Sequence, residues 1–188
     1  MRKHVFLHAF FFYKMIQKSI LLLLIFLVLA CTQHAKIKNP LFFDDLPAKD
    51  TGIGFVNSLT ISEELNAYTY RNFYNGAGVA IGDINNDGLA DIYFSGNQVE
   101  NKLYLNKGNL EFEDITDAAG VACKDVWSTG VNFVDVNGDN LLDIYVCKSG
   151  PPGGSNRRNE LFINNGDLTF REEARDWGVD DLGLSQHA

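Results

Sequence analysis

The chain has 188 residues, with 24 acidic against 16 basic side chains and a formal net charge of −8. No stripe of lysine or arginine is present to displace counterions, so a nucleic-acid partner is excluded; Arg157-Arg158 is the only basic pair after residue 30. The length suits one domain and is small for a large all-β architecture.

Arg2, Lys3, Lys14 and Lys18 precede an unbroken apolar run from Ile20 to Ala30 that ends at Cys31. A helix needs about 20 apolar residues to span a bilayer, so this run suits a signal-peptide core instead. Met15 would give a more compact basic leader, because Val5 to Tyr13 adds an apolar patch that a signal does not need. Val28-Leu29-Ala30-Cys31 resembles the bacterial lipobox, whose cysteine is diacylated and becomes the new N-terminus. That resemblance implies a signal peptide at 1–30, a lipid on Cys31, membrane attachment, and export to the bacterial cell envelope as an outer-membrane lipoprotein. A plain secretory signal with a chance cysteine and a buried hairpin strand are the alternatives. Residues 31–50, polar with Pro40 and Pro47, read as a tether. Cys123 and Cys147 are then left as a disulfide pair or as two buried thiols.

Residues 51–77 read as a lead-in segment. Their aromatic stretch, Tyr68-Thr69-Tyr70-Arg71-Asn72-Phe73-Tyr74, is expected to pack on the first repeat, with a recognition face for sugar or peptide as the alternative. The repeats then begin. Gly78–Ile81, Ile92–Phe94, Leu103–Leu105 and Leu110–Phe112 read as four short strands, the last pair joined across Lys107-Gly108-Asn109. Gly130–Phe133, Ile144–Val146, Leu161–Ile163 and Leu168–Phe170 repeat them, with Asn165-Gly166-Asp167 as the turn. The offset is 52 from Gly78 to Gly130 and 58 from Leu103 to Leu161, so an insertion falls near Gly150–Ser155, where a surface loop tolerates length. Four strands per unit at this period predict propeller blades: 78–129 as the first, 130–187 as the second, and residue 188 as the start of a third. Two such units cannot close a ring, so the chain reads as an N-terminal fragment.

Between the first two strands of each unit lies a nine-residue pattern, D-x-N-x-D-[G/N]-x-x-D. It spans Asp83 to Asp91 and again Asp135 to Asp143. Oxygen side chains at positions 1, 3, 5 and 9, with a carbonyl at position 7, are the hard donors that Ca²⁺ prefers. An EF-hand would need an acidic ligand at position 12, where Phe94 and Val146 stand, and flanking helices rather than strands. The competing reading is an Asx-rich turn that satisfies itself with hydrogen bonds.

The run G-V-A-I-G-D-x-N-x-D-G-x-x-D-I-Y-F, with Gly76-Ala77-Gly78 ahead of it, resembles the FG-GAP or VCBS repeat of integrin α-subunit propellers and of many bacterial surface proteins. Leu103-Tyr104-Leu105-Asn106 and Phe112-Glu113-Asp114-Ile115-Thr116, with their counterparts in the second unit, resemble the repeat proteins related to cartilage acidic protein and the ASPIC/UnbV family. The resemblance implies an all-β β-propeller with a structural Ca²⁺ ion in each loop. It assigns Asp83, Asn85, Asp87, Asp91 and the Leu89 carbonyl to the first ion, and Asp135, Asn137, Asp139, Asp143 and the Leu141 carbonyl to the second. Asn140 stands in the second loop where the first has Gly88, so the second site is expected to be the weaker.

Neither a nucleophile elbow nor a metalloprotease or phosphate-loop motif occurs, and the four histidines are scattered at positions 4, 8, 34 and 187. The expectation is a non-enzymatic binding or adhesion module for an extracellular or envelope protein or glycan. The alternative is a non-catalytic wall of a larger envelope enzyme acting on polysaccharide. Cys31→Ser should release the protein from membranes and abolish labelling by a fatty-acid probe; retained labelling would remove the lipobox assignment.

Overall fold

The computed structural model describes Lys18, residues 44–150 and residues 156–187; Cys31, the signal peptide and most of the tether lie outside these residues. Leu46–Ala188 forms one compact unit. Among the described residues no helix is long and apolar enough to cross a membrane.

Among the described residues, eight short strands form two four-stranded antiparallel meanders. The first holds β1 (Val79–Gly82), β2 (Asp91–Phe94), β3 (Lys102–Asn106) and β4 (Phe112–Asp114) in spatial order. The second holds β5 (Trp127–Val134), β6 (Asp143–Ser149), β7 (Glu160–Asn164) and β8 (Phe170–Glu172). These are two blades of the all-β propeller architecture that the repeat implies, and two blades leave the ring open.

The outermost strands start later than the sequence suggests. Leu110 (φ 62°) and Leu168 (φ 68°), expected inside strands, are left-handed turn residues, and pairing begins at Phe112 and Phe170. In the first hairpin Lys107 N–H donates to the Glu111 carbonyl and Glu111 N–H to the Gly108 carbonyl. The turn therefore consumes the residues that the alternation assigned to the strand.

Alternation along each strand sends one set of side chains between the sheets. Ala80, Tyr93 and Leu103 from the first sheet meet Val131, Ile144, Val146, Phe162 and Phe170 from the second, and Ile84, Ala119, Val121 and Cys123 complete this core. Tyr93, fully buried, donates its hydroxyl to the Val121 carbonyl at 2.7 Å, so the largest core side chain also satisfies the connection to the next blade. On its far side the second sheet carries an open apolar groove of about 710 Å³. Tyr145, Val136, Leu161 and Val179 line it, and these are the repeat counterparts of Tyr93, Ile84, Leu103 and Val121.

The lead-in reaches both sheets. Phe55 stacks on Phe94 of β2 with ring centroids 5.1 Å apart. The aromatic segment, expected on the first repeat, meets Trp127, which lies within residues 78–129 but opens β5 of the second sheet: Tyr70 and Phe73 lie against its ring, and the Tyr70 hydroxyl is 2.8 Å from Ser149 Oγ of β6. Of its exposed members, Tyr74 sets its ring edge-on to Phe73 with centroids 4.9 Å apart, whereas Tyr68 is fully exposed.

Cys123 and Cys147 are free, buried thiols. Cys123 Sγ donates to Glu160 Oε2, whose other oxygen pairs with the buried Lys148 ammonium. Burial, and then the Glu160 charge, pushes the Cys123 thiol well up, so this thiol stays protonated.

The inner strands β1 and β5 run close together, and glycine allows it. A Cβ on Gly78 would lie 2.8 Å from the Thr129 carbonyl oxygen and 2.9 Å from Val131 N, both rigid backbone atoms. Gly130 repeats the arrangement one unit on, against the Gln186 carbonyl oxygen at 2.7 Å and His187 Cα at 2.8 Å. Gly78→Ala should therefore cost about 1 to 3 kcal/mol by overpacking. Gly54→Ala, where nothing lies within 4 Å, should stay within about 0.5 kcal/mol. Urea denaturation of both variants checks this, and equal midpoints would show that the strands can part at no cost.

At the end of β4, Asp114 accepts bonds from the Thr116 amide and hydroxyl and pairs with Lys102 at 3.0 Å. Burial alone would push its carboxyl up, but these partners outweigh it and hold its pKa below the usual value. Stability from this group is fully present above the unfolded carboxylate pKa of about 3.9 and is lost as pH falls through the lower folded value. Asp114→Asn should flatten the acid limb of a stability–pH curve, and an unchanged slope would assign that limb to other carboxylates.

Candidate metal centre

Each loop joins the first two strands of its sheet, and each is closed by its own side chains. In the first, Asp83 Oδ2 accepts from Gly88 N–H (2.8 Å) and Oδ1 from Asp87 N–H (3.1 Å). Asp87 Oδ1 accepts from Leu89 N–H at 2.8 Å, and the Asn85 amide bonds Asp87 Oδ2 at 2.9 Å. The second loop copies this network. Asp135 accepts from the amides of Gly138, Asp139 and Asn140, Asp139 accepts from Leu141, and Asn137 bonds Asp139. These are Asx turns in series, which orient a run of side-chain oxygens along one side of a tight loop.

The ninth-position aspartates behave differently. Asp91 and Asp143 are fully buried, and each carboxylate accepts two backbone amides. Asp91 takes Ile84 N–H at 2.9 Å and Asn106 N–H at 2.8 Å; Asp143 takes Val136 N–H at 3.1 Å and Asn164 N–H at 2.8 Å. Each therefore ties its loop to the third strand of the same sheet. Burial first, and then the charges of Asp87 and Asp83, push the Asp91 carboxyl up against the pull of those two amides. Asp143 is raised in the same way, with Asp139 and Asp135 as its neighbours.

The residues fit a hard divalent cation in donor type. Each loop offers two partly or fully exposed carboxylates, an amide oxygen and a carbonyl, with a third carboxylate near enough to feel their charge. Among the described residues, however, no three acidic, histidine or cysteine side chains converge as a group able to hold a metal. The donors that the two loops present are Asp83, Asn85, Asp87, Asp91 and the Leu89 carbonyl, and Asp135, Asn137, Asp139, Asp143 and the Leu141 carbonyl; Asp91 and Asp143 are buried and the others at least partly exposed.

Sequence reasoning placed one left-handed residue in each loop, and the structure has two. In the first loop these are Asn86 (φ 58°) and Gly88 (φ 85°); in the second, Gly138 (φ 78°) and Asn140 (φ 66°). Glycine and asparagine have exchanged places between the loops, so each carries one asparagine in the costly conformation. The expected weakness of the second loop thus has an equal counterpart in the first.

The asparagines that end the third strands also escaped the sequence reading. Asn106 Nδ2 donates to the Ala90 carbonyl, and its Oδ1 accepts from Gly108 N–H. Asn164 makes the equivalent bonds to the Leu142 carbonyl and Gly166 N–H and adds one across the sheets, to the Ile84 carbonyl at 2.8 Å. Their signal was the Leu-x-x-Asn match between Leu103–Asn106 and Leu161–Asn164.

Paired four-stranded meanders, with an aspartate-rich loop between the first two strands of each, define a propeller-blade type of repeat. An FG-GAP-like repeat family model matches residues 83–146, from the first aspartate of the first loop into β6. The chain is also similar to cartilage acidic protein 1 of Xenopus tropicalis, 32% identical over 126 residues, which cover 65% of this chain and 18% of that protein.

Proposed function

We propose that this chain is part of an exported, lipid-anchored β-propeller module that binds an extracellular or envelope protein or glycan, with two structural Ca²⁺ ions. The observation that carries the calcium reading is the duplication. Two loops 52 residues apart (Asp83 to Asp135) keep both the oxygen donors and the hydrogen-bond network that orients them. A single Asx turn forms for local reasons, whereas two copies with the same acidic positions concentrate negative charge that a cation would neutralise. When bound, the ion supplies charge neutralisation and cross-linking of each loop. Asp83, Asn85, Asp87 and the Leu89 carbonyl would hold one ion, and Asp135, Asn137, Asp139 and the Leu141 carbonyl the other. Asp91 and Asp143 brace the loops from within. The groove beside Tyr145 and the lead-in aromatics give the module surfaces for assembly and recognition.

Extracellular calcium modules bind at about 10⁻⁴ to 10⁻³ M, so at about 1 mM free ion each site adds about 0.4 to 1.4 kcal/mol by linkage. Chelator should lower the melting temperature of the full chain. Asp83→Ala and Asp135→Ala should each remove a comparable part of that response, because both loops carry one strained asparagine. A melting temperature indifferent to chelator would mean that the loops are turns sufficient in themselves.

A further inference from the structure

One hydrogen bond joins the loops directly, and the side chain of Asn164 bridges them with two more. Asn86 lies at position 4 of the first loop, between the donors Asn85 and Asp87. Its side-chain amide donates at 3.0 Å to the carbonyl of Asn140, at position 6 of the second loop between Asp139 and Leu141. Asn164 donates both to the Ile84 carbonyl of the first loop and to the Leu142 carbonyl of the second. Its own amide also holds Asp143. Asn106, its counterpart one unit earlier, makes only the bonds within its own unit.

The geometry points to coupled rather than independent ion binding, with Asn86 as the residue that transmits the coupling and Asn164 as the buried scaffold that sets the loops' spacing. This inference rests on the calcium reading above. An ion in the first loop fixes the backbone on both sides of Asn86 and so fixes its amide. The amide fixes the Asn140 carbonyl, and the next carbonyl along the chain is the Leu141 donor. The chain of contacts runs equally well in reverse, as linkage requires of any binding coupling. Asn86 is exposed, so its bond belongs to the modest end of hydrogen-bond strengths and the coupling to the low end of the usual range, about fivefold in affinity.

The test is a double-mutant cycle read by calcium calorimetry on the full chain. Asp135→Ala silences the second loop and should weaken the first loop's calcium affinity about fivefold. Asn86→Gly keeps the left-handed backbone and removes the amide. In that background both loops should still bind, but silencing the second should move the first by less than about twofold. Circular dichroism at saturating calcium checks that each variant is folded. Asn86→Asp, which accepts but cannot donate at this position, replaces the glycine variant if that one fails to fold. First-loop affinity unmoved by Asp135→Ala, or a fivefold effect that survives the loss of Asn86, would overturn the coupling and leave the calcium reading intact. The absence of any calcium heat in the wild-type chain would overturn both.

Discussion

Each sheet depends on one buried carboxylate. Asp91 and Asp143 sit at the start of the second strand, fully shielded from water, and each accepts one amide from the loop and one from the third strand. A buried charge without such partners would cost several kcal/mol or give up its ionisation. With them it becomes the point at which loop, second strand and third strand are held in one register. The hairpins, the position of Asn106 and Asn164, and the orientation of the exposed loop oxygens all follow from that anchor. Burial and the acidic neighbours act against the ionised carboxylate, and the two backbone amides act for it.

Much of this was legible in the sequence. The offset between Gly78 and Gly130, the alternation of Ile92-Tyr93-Phe94 and the two Asx-rich loops indicated four strands per unit and the place of each loop. Eight strands appear close to where they were expected. The outermost strands were misplaced because a leucine in an alternating pattern looks the same whether it sits in a strand or in a left-handed turn, and only the hairpin hydrogen bonds separate the cases. The aromatic lead-in meets the second sheet because Trp127, although within residues 78–129, already opens β5. Spacing along a chain does not show which of two neighbouring sheets a flanking segment will meet.

The loops show the same limit at finer scale. The pattern identified which residues carry oxygen but not which way each oxygen faces. Position 9 looks the same as positions 1 and 5 in sequence, yet in the fold its carboxylate is buried and tied to the third strand. Position 4 looks like filler, yet Asn86 adopts a left-handed backbone and reaches the neighbouring loop. Both distinctions arise from contacts outside the loop itself, which a motif within one loop cannot encode.

The close approach at Gly78 and Gly130 has a consequence for where one unit ends and the next begins. Ser95 of the first sheet bonds the Thr129 carbonyl, and Thr129 in turn bonds the Ser185 carbonyl, while Ser185 N–H reaches Lys148. Each sheet is therefore sealed by residues from the last few positions of its own repeat, and β5 of the second sheet already begins at Trp127, inside the first. Sequence period and mechanical module are out of phase, in the manner of overlapping roof tiles. A protein begun at residue 130 would lose the opening residues of β5, Trp127 to Thr129, and with them the Thr129 bond to Ser185, so shortening such an array calls for cuts made upstream of Trp127.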